Sequence, residues 1–78
     1  MNRGQIEARL IAHIESVAGA HVTNTTHLID EQILDSMGFI NLIAFIETEF
    51  GVSFEESELD ECFETIGMIA GLVLKKRV

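Results

Sequence analysis

The stretch Leu34-Asp35-Ser36-Met37-Gly38-Phe39-Ile40-Asn41-Leu42-Ile43-Ala44-Phe45-Ile46-Glu47-Thr48-Glu49-Phe50-Gly51 decides the fold. From Met37 to Phe50 the apolar residues are too dense to form a single solvent-facing helical stripe. A helix is expected, with Asp35 and Ser36 competing for the N-cap and Gly51 as the stop. It is either largely buried or carries a second apolar face for a partner. On a helix beginning at Ser36, the residues Phe39, Leu42, Ile43, Ile46 and Phe50 share the inward stripe. Met37, Ile40, Asn41, Ala44, Glu47 and Thr48 then face outward. For Met37 and Ile40 an inward, core-packed reading stays open.

Two further helical periods flank this segment. Ile6, Leu10, Ile11, Ile14 and Val17 form a stripe near the start, stopped by Gly19. Ile66, Ile69, Ala70 and Val73 recur at helical spacing near the end, with Thr65 as N-cap and Lys75-Lys76-Arg77 suited to a helix C-terminus. Residues 20–33 read as a long loop, because Thr23-Asn24-Thr25-Thr26 disfavours a helix. Val22, Leu28, Ile29 and Ile33 are expected to pin that loop to the core. Ser57 followed by Asp60 suggests a capping box opening one short helix through Cys62 or Phe63. No strand pattern persists beyond a brief Val52-Ser53-Phe54. The expected fold class is all-α: a small antiparallel four-helix bundle of three main helices plus one short helix, with a long first loop.

Length and charge narrow the function classes. The 78 residues allow one domain, spanning 1–78, near the lower size limit for folding unaided. The net charge of −8 argues against a nucleic-acid binder that relies on neutralising phosphates. Between residues 10 and 74 there is no Lys or Arg, while twelve of the thirteen acids fall there. That layout reads either as a solvated acidic surface or as a docking face for basic partners. No apolar run reaches the ~18 residues needed to span a bilayer, and the N-terminus lacks the apolar stretch of a signal peptide. A cytoplasmic setting without membrane attachment is the expectation.

Self-contained catalysis is not expected. His13, His21 and His27 have no partner at ligand spacing, so no metal site is expected. The single cysteine, Cys62, sits among Asp60, Glu61 and Glu64, which would raise its pKa, and it reads as a buried core thiol. The glycines form no phosphate-cradling loop. What remains is Ser36, a hydroxyl at the N-cap or first turn of the most apolar helix. A phosphate ester there would face free backbone N–H groups and the positive helix end. The plain alternative is an ordinary capping serine.

Beyond Asp35-Ser36 the chain resembles an acyl carrier protein over nearly its whole length. The resemblance rests on Leu34-Asp35-Ser36-Met37, Ile46-Glu47-Thr48-Glu49-Phe50-Gly51-Val52 and Thr65-Ile66-Gly67-Met68-Ile69. It implies a carrier whose Ser36 hydroxyl is esterified by 4′-phosphopantetheine, taken from coenzyme A by a phosphopantetheinyl transferase, with Asp35 beside the attachment point. The arm's thiol, not Cys62, would hold acyl or aminoacyl cargo as a thioester. The implied partners are that transferase, an acyl- or aminoacyl-loading ligase, and downstream transferases or synthases. Met37, Ile40, Asn41, Ala44, Glu47 and Thr48 would meet them near the arm, and Glu47 and Glu49 would pair with basic patches.

The sequence departs from the family pattern in several places. Met37 replaces the usual Leu, and Gly38, Asn41 and Thr48 stand where fatty-acid carriers often have acids. Ser53-Phe54-Glu55 replaces the Pro after the extended stretch. Phe39 and Phe45 would fill space that a long acyl chain needs. The expectation is a free-standing, monomeric, specialised carrier of short acyl or aminoacyl cargo in a secondary-metabolite or short-chain pathway. A D-alanyl-type aminoacyl carrier is the alternative within the family. An unmodified acidic interaction module is the alternative outside it.

Overall fold

The computed structural model describes residues 2–77, apart from the side chains of Glu61 and Cys62. The expected burial of the Cys62 thiol therefore lies outside the described residues. Four helices follow one another: α1 (Arg3–Ala18), α2 (Ser36–Phe50), α3 (Glu56–Cys62) and α4 (Ile66–Arg77). The chain is all-α, a small four-helix bundle, as expected.

Each long helix has a local cause. Asn2 caps α1, its side chain accepting from the Gln5 backbone N–H while Gln5 accepts from the Asn2 N–H, both at 2.9 Å. Gly19 and Gly51 end α1 and α2 in the left-handed region, at φ 68° and 67°. Thr65 Oγ1 accepts from the Met68 N–H at 3.2 Å, which makes Thr65 the α4 cap, as expected.

The core is built where these helices meet. Ile6, Leu10 and Ile14 of α1 lie buried with Leu42, Ile46 and Phe50 of α2 and Ile66, Ile69, Ala70 and Val73 of α4. Helix α1 packs against both α4 and α2, and α3 rests on α4. Val22 and Leu28 anchor the first loop as expected, while Ile33 is half-buried.

Several inward assignments are corrected. Val17 is 51% exposed and Ile29 is 47% exposed. By the about 3.6-residue period Val17 lies between Ile6 and Leu10 on the helix wheel. At the last turn of α1, however, it lines an open groove instead of meeting a covering helix. Phe39 and Ile43, by contrast, are half-buried and pack against the core, in line with their place on the inward stripe of α2.

The short helix is corrected as well. It starts at Glu56 with Glu55 as N-cap, and Glu58 Oε1 accepts from the Glu55 N–H at 2.8 Å. Ser57 and Asp60 are therefore inside the helix and form no box. The α4 end does more than complement a helix dipole. Lys76 reaches Glu58 at 2.9 Å and stands 5.6 Å over the Phe54 ring, and Arg77 donates to the Phe50 carbonyl at 2.9 Å.

Candidate functional site

The site begins with how the loop delivers Ser36. Leu28 is fully buried, and its carbonyl accepts from both Ile33 N–H and Leu34 N–H, at 2.9 and 3.0 Å. The turn closing this arrangement places Gln32 at φ 57°, a conformation uncommon for a residue with a Cβ. The loop is backed by the start of α4. Leu28 N–H donates to the Glu64 carbonyl, and Gly67 N–H donates to the Asn24 carbonyl, each at 2.9 Å.

Asp35 then turns the chain into α2. Its backbone is extended at φ −90°, ψ −174°, and its Oδ1 accepts from the Gly38 N–H at 2.7 Å. The competition for the cap is thus resolved: Asp35 is the N-cap and Ser36 the first helical residue. Gly38 is buried beneath this cap, where a Cβ would lie 3.2 Å from both Asp35 Oδ1 and Leu34 Cδ2. Ser36 itself is exposed, and among the described residues no hydrogen bond engages its hydroxyl.

Around Ser36 the surface mixes apolar side chains with neutral polar ones and the Asp35 carboxylate. Met37 is 65% exposed and Ile40 58%, while Asn41, Ala44 and Thr48 are exposed and Glu47 is half-buried. Two grooves flank the serine. One, lined by Ile29, Leu34, Asp35, Ser36, Phe39 and Ile40, faces the loop. The other runs back toward α1 and includes Val17, Ile33, Asp35, Met37 and Asn41. Sequence reasoning missed Val17 and Ile29 as surface residues; the available signal was their position beside the chain reversals at Gly19 and Gln32.

A third cavity, of about 240 Å³, continues from the loop side, sharing Ile29 and Phe39. Leu59 and Phe63 complete its apolar wall, and His27, Asp30, Asp60 and Glu64 form its polar lining. Phe39 meets Phe63 edge-on at 5.5 Å, and Phe63 meets Phe54 edge-on at 5.0 Å. Phe45 does not belong to this wall. It stacks on His13 of α1 at 4.0 Å, where burial pushes the His13 pKa below the usual imidazole range. Glu49 is also committed internally, in an ion pair with Arg9. It is thus less available to a basic partner than the sequence suggested.

Among the described residues there is no cluster of metal-ligating side chains, and no helix is long and apolar enough to cross a membrane. The residues present suit a phosphodiester-linked arm. An exposed alcohol stands in the first turn of a helix whose positive end favours an anion by about 0.3–1 kcal/mol. Two open grooves leave room on either side of it. The Asp35 carboxylate already takes the Gly38 N–H, so an attached phosphate would share this helix end with it.

Comparison with known proteins agrees with this geometry. The signature of the phosphopantetheine attachment site matches residues 8–73. An acyl carrier protein of Thermotoga maritima is 31% identical over 67 residues, covering 86% of this chain and 82% of that protein. D-alanyl carrier protein 2 of Lactiplantibacillus plantarum is 28% identical over 74 residues, covering 86% of this chain and 92% of that protein. With a helical bundle, an exposed helix-start serine and a signature covering most of its length, the chain belongs to the acyl carrier protein family, whose members bear a covalently attached 4′-phosphopantetheine.

Proposed function

We propose that Ser36 is the attachment point of the 4′-phosphopantetheine arm and that residues 1–78 act as one monomeric, cytoplasmic carrier unit for short acyl or aminoacyl cargo. The observation that carries this reading is the exposed Ser36 hydroxyl, fixed at the first turn of α2 by the Asp35 cap and flanked by open grooves. When attached, the arm supplies a thiol for thioester linkage. The chain's own residues present the arm, shelter the cargo and meet the enzymes. Asp35 fixes the helix start, while Met37, Ile40, Asn41, Ala44, Glu47 and Thr48 form the outward face toward partners. These are the phosphopantetheinyl transferase, a loading ligase and downstream transferases or synthases.

A short cargo is supported by the aromatic packing beside Phe39: Phe39 meets Phe63 edge-on and Phe63 meets Phe54 edge-on, so a long chain entering the bundle along Phe39 would have to break contacts worth about 0.5–1.5 kcal/mol each. An aminoacyl cargo of the D-alanyl type is the second reading. It is favoured by the likeness to a protein of that name and by the scarcity of charge at the start of α2.

Incubation with coenzyme A and a broad-specificity phosphopantetheinyl transferase tests the attachment. Mass spectrometry should show one added phosphopantetheinyl group on the wild type and none on Ser36→Ala. A wild type that stays unmodified with several transferases would reject the carrier reading in favour of an unmodified acidic module.

A further inference from the structure

The grooves on either side of Ser36 differ in hydrogen-bonding capacity. On the loop side, apart from Ser36 itself, the lining is Ile29, Leu34, Phe39 and Ile40 with the Asp35 carboxylate. Once Ser36 is esterified, that lining holds no side-chain donor. On the α1 side, Val17 and Met37 alternate with Gln32, Asn41 and the same Asp35. Gln32 and Asn41 are exposed carboxamides that each donate and accept, and among the described residues no side-chain hydrogen bond engages either of them.

Gln32 also holds its place against a backbone preference. Its φ of 57° lies in the left-handed region. Gln32 N–H donates to the Ile29 carbonyl and Ile33 N–H to the Leu28 carbonyl, each at 2.9 Å. This paired arrangement ends a helical turn, and glycine is the residue that it favours at the position of Gln32. A glycine would relieve the conformation but bring no carboxamide to the groove.

Resting on the carrier reading above, we propose that the α1-side groove is the resting place of the 4′-phosphopantetheine arm in its free-thiol form. The Gln32 and Asn41 carboxamides hydrogen-bond the arm's amides, and Val17 and Met37 cover its geminal methyl groups. The occupant is fixed by attachment. Ser36 stands between Asp35 and Met37, both of which line the groove, so the arm starts at its edge. Chemistry selects the side. Beyond its phosphate the arm is uncharged and alternates apolar carbons with amides. An amide that leaves water must recover hydrogen bonds for both its N–H and its C=O. The α1-side carboxamides supply donors and acceptors, whereas the loop-side lining leaves the arm's carbonyls without a side-chain donor. Asp35 lines both grooves, so its charge does not choose between them. Its Oδ1 takes the Gly38 N–H, and Oδ2 can accept from an arm N–H. Weak contacts suffice, because a tethered group meets the groove at high effective concentration.

NMR of the holo-protein tests this, with the arm transferred from coenzyme A isotope-labelled in its pantetheine portion. Cross-peaks should join the arm's methyls to Val17 and Met37. The arm's amide protons should exchange about threefold more slowly than in free coenzyme A. Gln32→Gly should remove that slowing while keeping or raising the melting temperature, because it deletes the carboxamide and relieves the positive φ. Asn41→Ala should weaken the slowing, and Ile29→Ala, in the other groove, should leave it unchanged. Cross-peaks to Ile29 and Ile40 instead, exchange as fast as in coenzyme A, or slowing that survives Gln32→Gly overturns the proposal while leaving Ser36 as the attachment point. Absence of any arm on the wild type overturns both.

Discussion

The surface around Ser36 and the surface where α3 meets the end of α4 solve opposite problems. Around Ser36 the exposed side chains are mostly apolar or neutral. At the other surface the side chains are tied to one another. Glu58 is held by the Glu55 N–H and by Lys76, which keep its carboxyl below the usual carboxylate range, and Lys76 also covers Phe54. One region keeps its side chains uncommitted and open to a partner, the other uses them to close the fold. The difference teaches that exposed apolar area on α2 is not a packing failure, because the same helix buries Leu42, Ile46 and Phe50 beneath it.

Mutations can break that contrast, the largest effect coming first. Leu42→Ala should destabilise by about 2–5 kcal/mol in urea unfolding, since it leaves a cavity in the core. Met37→Ala on the opposite face should stay within about 0.5 kcal/mol. Equal losses would mean that the outward face is structural. Next comes Asp35→Ala, which removes the α2 cap and should cost about 0.5–2 kcal/mol, with Asp35→Asn recovering most of it. Lys76→Gln should cost less, about 0–1 kcal/mol, because a half-buried ion pair whose two ends still reach solvent contributes little.

Salt sharpens the same comparison. The acids from Glu55 to Glu64 repel one another, so added salt should raise the melting temperature despite weakening the Lys76–Glu58 pair. No change, or a decrease, would show that the pair outweighs the repulsion.

The smallest effect is a pH dependence carried by His13. Its pKa is lowered in the folded chain by burial against Phe45, so below the usual imidazole range the unfolded chain holds more protons there. The stabilisation is therefore present at higher pH and falls as pH drops through the unfolded value toward the folded one. Glu58, lowered as well, contributes above the unfolded carboxylate value and loses that contribution only at more acid pH, so the two windows separate. Melting curves between about pH 7.5 and 5.5 should slope for the wild type and flatten for His13→Phe.

How much of this was legible in the sequence depended on distance along the chain. Gly19, Gly51 and the Thr65 cap are local signals, and each appears as expected; the helix stripes do so too, except at Val17. Ser36 was singled out because its context, a serine after an acid at the start of a very apolar helix, is also local. What failed was long-range. The Arg9–Glu49 pair and the Phe45–His13 stack join α1 to α2, and no periodicity encodes such partners. Val17 and Ile29 have apolar side chains whose burial depends on whether a neighbouring element covers them, which the wheel alone does not state. The α3 cap was misjudged because Ser is the commoner capping residue, whereas here Glu55 and Glu58 hold the turn.

Gly67 shows how remote a requirement for the serine can be. Its amide binds the Asn24 carbonyl, and a Cβ there would stand 3.2 Å from that same oxygen. The entrance loop thus leans on the final helix, and the placement of Ser36 is tied to the far end of the chain: a side chain at position 67 would push on the doorstep from which the serine is presented.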